Sequence, residues 1–171
     1  AAPASFAVLK SSPLAKLPGA DETYPLATKA AEAQKAIDAM KPMLKGKVIG
    51  AQVSTTNLNF VEKYFKDQVD IRSYKTTEQH DLDLTAGRID GAFAAVTYWS
   101  DVMSKPDGKD IVLAGPQFSG EVLGRGVAAG LRKEDTELKA KFDGAIKQVV
   151  ADGTCKTLSV KWFKGLDICP K

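Results

Sequence analysis

Apolar side chains recur along this chain with two different periods, and their alternation predicts an ordered series of strands and helices. A short apolar run from Phe6 to Leu9 reads as a strand. From Leu26 to Met43, in a background of Ala, Lys and Glu, the spacing of Ala33, Ala36, Ile37 and Met40 predicts a helix. Gly46 interrupts it, and Lys47 to Gln52 reads as a buried strand. The polar turn Ser54-Thr55-Thr56-Asn57 then opens a helix that carries Phe60, Val61, Tyr64 and Phe65. Val69 to Tyr74 is the next strand. Thr76 with Gln79 three residues on forms a capping box for a helix from Thr77 to Ala86, which Gly87 ends. Ile89 to Ala94 is a strand of small residues, and Val96 to Met103 continues as a helix. Ile111 to Ala114 is again extended, and Gly115-Pro116 is expected to break it. A strand around Gly126 to Leu131 precedes an amphipathic helix through Leu138, Phe142, Ile146 and Val149. Gly153 stops that helix, and a last one holds Leu158, Trp162 and Phe163. Repeated strand–helix–strand units predict an α/β fold with a mostly parallel sheet. No internal repeat or low-complexity segment interrupts the series.

Composition narrows the function classes. The chain has 171 residues, of which 44% are hydrophobic and 26% charged, enough to bury a substantial core. No apolar run approaches the roughly 20 residues of a membrane span. The net charge is +3, and Lys and Arg are interleaved with Asp and Glu, so no basic stripe points to nucleic acid. The opening Ala1 to Ser5 lacks the basic segment and long apolar stretch of a secretion signal, so the sequence is expected to be a mature form or an excised piece.

Catalytic candidates are sparse. The one histidine, His80, is expected on the solvated face of its helix. No Gly-x-Ser-x-Gly elbow, phosphate-cradling glycine loop or His-Glu-x-x-His pair occurs. Asp81 and Asp83 point to different sides of a helix, poor geometry for paired acid–base chemistry. Cys155 and Cys169 lie close enough in sequence to close a short loop, worth about 3 kcal/mol for a loop of about 15 residues; two buried free thiols are the alternative. No second pair of Cys or His accompanies them, so no metal and no other cofactor is expected.

The turn from Ser54 to Asn57 carries more. It follows a buried strand and begins a helix, so free backbone N–H groups and hydroxyls converge there and can bind a carboxylate or another polar group. The carboxyl ends of strands in an open parallel sheet are also where ligands bind. Ser54 and Thr55 acting purely as a helix cap is the competing reading.

Lys47 to Thr56 (KVIGAQVSTT), followed by Asp83 to Asp90 (DLTAGRID), resembles the polar-amino-acid solute-binding proteins of bacterial ABC importers. Leu113 to Pro116 (LAGP), Gly130 to Leu138 (GLRKEDTEL), and Asp152 to Thr154 running into Lys161 to Phe163 follow in that family's order and spacing. Gly87-Arg88-Ile89-Asp90 is the most specific single match, and the helical insertion from Ala20 to Met43 looks like the branch that binds basic amino acids and opines.

The resemblance implies a type II periplasmic-binding-protein-like α/β fold of two lobes joined by two hinge strands. Residues 1–9 would cross into the second lobe, and residues 10–114 would form it, with a parallel-type sheet flanked by helices. Residues 115–119 would cross back, and residues 120–171 would be the C-terminal helical part of the first lobe. The implied role is non-catalytic binding of an amino acid or opine-like ligand in the periplasm, for delivery to ABC transporter membrane subunits. The second lobe would offer Gln52, Ser54, Thr55, Thr56 and Asn57 to the ligand. The clamping arginine and stacking aromatic of the family's first lobe have no assignable counterpart. Relatives commonly place an acid for the ligand ammonium after the strand that follows Gly-Arg-x-Asp, whereas this sequence has Ala95. Either the ligand lacks an ordinary free α-ammonium group, as a substituted opine nitrogen would, or affinity has drifted. Two alternatives accompany this reading: a truncated relative that acts only through protein contacts, including self-association through the C-terminal arm, and a dehydratase-like enzyme on the same fold. The second would need an acid in the cleft, and none stands between Gln52 and Asn57.

Overall fold

The computed structural model describes residues 2–169. They divide into two compact units, residues 2–125 and residues 126–169. The larger unit contains six strands and four helices: β1 (Ala4–Leu9), β2 (Thr23–Pro25), α1 (Ala30–Leu44), β3 (Val48–Gln52), α2 (Thr56–Phe65), β4 (Asp70–Tyr74), α3 (Thr77–Thr85), β5 (Gly91–Ala95), α4 (Val96–Met103) and β6 (Ile111–Ser119).

The strands form one sheet in the order β2-β6-β1-β5-β3-β4. β3 pairs parallel with β4 and β5, and β2 pairs parallel with β6, whereas β1 is antiparallel to both β5 and β6. Five strands therefore run one way and β1 alone runs against them. Their carboxyl ends share one edge with the amino end of β1, as the pairings of Ala4 with Ala95 and with Phe118 require.

Alternation along β1 and β5 sends large and small residues to opposite faces. On one face Phe6, Val8, Ile49, Phe93 and Phe118 pack with Phe60 and Phe65 of α2 and Ala33, Ile37 and Met40 of α1. Phe60 stacks on Phe93 at 4.6 Å between ring centroids, and Phe6 meets Phe93 edge-on at 4.9 Å. Each such ring contributes roughly 1.5–3 kcal/mol by leaving water. On the other face Ala7, Ala92 and Ala94 accept Trp99 of α4 and Leu84 of α3. Helix and sheet approach closely here: a methyl group at Gly50 would lie 2.8 Å from Ile89 Cδ1 and 3.2 Å from His80 Cβ.

Several sequence expectations are corrected. Gly115-Pro116 does not end β6, which runs on to Ser119. Gly115 adopts φ +72°, and the register against β1 shifts between Ala4 and Phe6, so the pair is accommodated as a bulge. The buried Ser5 hydroxyl faces the carbonyls of Ala114 and Pro116 at 3.5 and 3.3 Å and holds that bulge. The helix expected from Leu26 starts at Ala30, because Thr28 and Lys29 donate to Pro25 O in a turn after β2. The capping box is incomplete. Thr76 makes no side-chain cap bond, and Gln79 Oε1 accepts instead from Lys75 N at 3.1 Å.

The smaller unit holds α5 (Thr136–Ala151) and α6 (Thr154–Trp162). Gly153, at φ +80°, makes the sharp corner between them. The strand expected around Gly126 to Leu131 is not formed. Among the described residues this unit contains no strand, so the segment lacks a ladder to join. A disulfide joins Cys155 to Cys169, with a Cα–Cα distance of 6.1 Å. The same tail is tied under α6 by Ser159, whose hydroxyl donates to Leu166 O at 2.7 Å and accepts from Ile168 N at 2.9 Å. Leu138, Phe142 and Ile146 of α5 and Leu158 and Trp162 of α6 are exposed, Trp162 to 68%.

Candidate functional site

Gln52 ends β3 on the sheet edge where the carboxyl ends gather, and its Nε2 donates to Lys75 O beyond the neighbouring β4 at 3.2 Å. Val53 N donates to Tyr74 O at 2.9 Å, so the two strand exits are laced together. The chain then turns through Ser54, which takes the left-handed conformation, φ +58°, that a non-glycine residue adopts only at some cost. That turn delivers Thr55 as the N-cap of α2. Its Oγ1 donates to Gln52 O at 2.7 Å and accepts from Leu58 N at 3.2 Å.

Thr55 is therefore committed to the backbone. Ser54 and Thr56 are exposed and Asn57 half-buried, and among the described residues their side chains accept and donate no hydrogen bond. They stand at the first turn of a ten-residue helix, beside unpaired backbone N–H groups and the positive end of the helix dipole. Ala95 ends β5 on the same edge, half-buried, and α4 begins immediately after it, with Val96 N donating to Pro3 O at 2.8 Å. α3 begins just beyond β4. Three helix N-termini and the unpaired polar groups of Ser54, Thr56 and Asn57 thus lie along one edge, and the named turn and Ala95 contribute no carboxylate to it. Such a surface suits an anionic or neutral polar group. Lys75, exposed at the same edge, was passed over in the sequence. The flush pairing of Gln52 with Tyr74 brings it there, and parallel strands of equal length were the available signal.

Gly87-Arg88-Ile89-Asp90 proves to be scaffold. Gly87 turns the chain at φ +68°, and Arg88 Nε donates to Asp83 Oδ1 at 2.6 Å. Ile89 is in the core, and Asp90 Oδ2 accepts from Val48 N at 2.8 Å, fixing the start of β3. The Tyr74 hydroxyl, 2.7 Å from Asp83 Oδ2, and then the Arg88 guanidinium hold the Asp83 carboxyl below the usual carboxylate range.

His80 corrects the expectation of a solvated position. It is fully buried beneath Gly50, with Tyr74, Tyr98 and Trp99 around it at 5.6–6.1 Å between ring centroids. Its Nδ1 is 3.0 Å from Asp81 Oδ1, but the two neighbours on one helix are not aligned for a hydrogen bond, and neither atom has another partner among the described residues. Burial, with the hydrogen bond to Asp81, raises the Tyr98 hydroxyl far above its ordinary range. A cavity of about 370 Å³ between α3 and α4 is lined by Asp81, Leu82, Tyr98 and Val102, among others, and includes no residue of the Ser54–Asn57 turn. Among the described residues no cluster of His, Cys, Asp and Glu could hold a metal ion. Among the described residues no helix is long and apolar enough to cross a membrane.

Comparison with known proteins places this geometry in context. Residues 20–165 match the description of the bacterial extracellular solute-binding proteins, family 3. An octopine-binding periplasmic protein of Rhizobium meliloti is 46% identical over 183 residues, covering 96% of this chain and 62% of that protein. A histidine-binding periplasmic protein of Escherichia coli K12 is 39% identical over 123 residues, covering 70% of this chain and 47% of its own length. In three dimensions the chain is similar to an ancestral arginine-binding protein bound to arginine, with a TM-score of 0.66 and 25% identity over 95% of this chain and 60% of that one. The chain thus spans about half to three-fifths of the length of these relatives.

Proposed function

The chain belongs to the bacterial extracellular solute-binding proteins, family 3, and from that premise we propose that it serves, without catalysis, to capture an amino acid or opine in the periplasm for an ABC-type importer. The observation that carries this reading is the division of labour in the turn after β3. Thr55 is spent on capping α2, while Ser54, Thr56 and Asn57 keep unengaged polar groups at the carboxyl edge of the sheet. Gln52 is the pillar beneath them. The neutral methyl of Ala95 on the same edge favours a ligand whose nitrogen carries a substituent over one that needs a carboxylate there for a free ammonium group. The 46% identity to an octopine-binding relative supports the same ligand class. Catalysis of the dehydratase kind would need an acid in the cleft, and neither Gln52 to Asn57 nor Ala95 supplies one.

In this reading residues 10–114 form the second lobe and residues 120–171 belong to the first, with crossings at 1–9 and 115–119. The membrane subunits of the importer are the protein partners. Thermal denaturation in the presence of octopine, arginine, lysine, histidine and glutamate tests the proposal. It expects octopine or a basic amino acid to raise the melting temperature and to be recovered unchanged. A chemically altered ligand, or no shift with any of the five, would count against it.

The exposed apolar faces of α5 and α6 support a second element of the reading, that this arm meets a protein surface. First-lobe residues of the same protein, or a second copy where those are lacking, would bury it. Light scattering coupled to size-exclusion chromatography of the 171-residue chain is expected to show concentration-dependent association. A monomer at all micromolar concentrations, with α5 and α6 protected from hydrogen exchange, would refute it.

A further inference from the structure

The chain has an unusual backbone at the end of the larger unit. Gly120, Glu121, Gly124 and Gly126 all adopt positive φ, at +77°, +50°, +81° and +140°. Three are glycines and accept such angles freely, but Glu121 has a Cβ and takes the left-handed region against its preference. What holds it there is visible. Glu121 Oε1 accepts from Lys63 Nζ at 2.9 Å, and Oε2 accepts from the Tyr64 hydroxyl at 2.9 Å. Both donors sit in the last turn of α2. The next two residues, Val122 and Leu123, pack on the larger core cluster. Leu123 N donates to Gly120 O and Gly124 N to Glu121 O, closing a short 3-10 turn over residues 121–123. Beyond Arg125 the larger unit ends.

We propose that Glu121 is a positioning residue whose carboxylate, clasped by Lys63 and Tyr64, anchors the exit segment at residues 120–125 to α2, so that the point where the chain leaves the larger unit is set by α2. An exposed ion pair alone would do little. Here a second donor of partly buried character and two apolar neighbours act on the same short turn, and all pull it toward α2. Lys63, followed by Tyr64, also lowers the Glu121 carboxyl below its ordinary value. The clasp grips α2 at the end opposite Ser54–Asn57, so one helix carries both the proposed ligand turn and the anchor of the exit segment. The anchoring claim itself stands apart from the identity of the solute.

Arg125 is exposed and offers trypsin a cut at the end of the exit segment. Glu121→Ala removes the tether but keeps the Cβ that strains the turn. It is expected to speed the appearance of the fragment ending at Arg125 about three- to tenfold. Lys63→Met combined with Tyr64→Phe breaks the clasp from the other side and is expected to give the same acceleration, with no further gain in the triple variant. Glu121→Gln keeps an acceptor for Tyr64 without the charge and should fall between. Amide exchange of β1 and β5 should be unchanged throughout. Unaltered cleavage in Glu121→Ala and in the Lys63/Tyr64 variant would overturn the proposal. So would exchange in β1 and β5 that rises together with cleavage, since that is loss of the whole unit and not release of the exit segment.

Discussion

Asp83 illustrates how one side chain can tie several elements. Its carboxylate takes hydrogen bonds from Tyr74 of β4 and from Arg88 beyond α3, and its pKa is lowered by them, Tyr74 first. A carboxyl depressed in the folded state is protonated first in the unfolded chain as pH falls. Its contribution is therefore present above the ordinary value of 3.8 and disappears as pH drops through the lower folded value. Urea unfolding at pH 7, 4 and 3 should show Asp83→Asn less stable than the parent at pH 7 and the two converging at acid pH. A constant difference at all three values would contradict this. The Ser54–Asn57 segment was legible as a turn and helix start because Ser, Thr and Asn directly after an apolar strand favour turns and N-caps. What the sequence could not reveal is which hydroxyl the fold consumes, since that depends on the left-handed Ser54. His80 was misplaced because its type suggested water. Its i, i+4 spacing to the buried Leu84 was the better signal, and Gly50 opposite supplies the room.

Among the elements, α2 and α4 followed directly from apolar spacing and flanking polar residues, and the structure places them within a residue or so of expectation. β6 did not. Gly-Pro usually ends a strand, yet here a buried hydroxyl from β1 compensates the bulge, a partner 109 residues away that local sequence cannot signal. α6 has no extensive core of its own and relies on its tail. Cys155 and Cys169 close a loop of 14 residues in separation, and Ser159 pins the same segment with two hydrogen bonds. By loop entropy the bridge is worth about 3 kcal/mol to this element. Reduction, or Cys155→Ser with Cys169→Ser, should increase hydrogen exchange at Ile168 and through α6 while leaving β3 and β5 unaffected. Unchanged exchange in α6 would mean that Ser159 suffices alone.

At the scale of the whole chain, the α/β class and the flanking helices were readable from alternation, but strand order was not. One reversed strand, β1, sits in the middle of the sheet between β5 and β6, and no periodicity in Phe6 to Leu9 encodes direction. That reversal brings the amino end of β1 to the edge where the other five carboxyl ends collect. The proposed ligand groups share that edge because β3 and β5 run parallel. The proposed function requires that edge to bind solute through Thr56 and Asn57, whose side chains make no hydrogen bond among the described residues. The decisive experiment is calorimetric titration of the intact protein with octopine and with arginine, comparing the parent with Thr56→Ala plus Asn57→Ala. Each lost hydrogen bond is worth about 0.5–1.5 kcal/mol, and more to a charged group. Affinity is expected to be about fivefold weaker or more in the double variant, with the melting temperature of the free protein unchanged; equal affinity in the two proteins would reduce the turn to a helix cap and refute the proposed site.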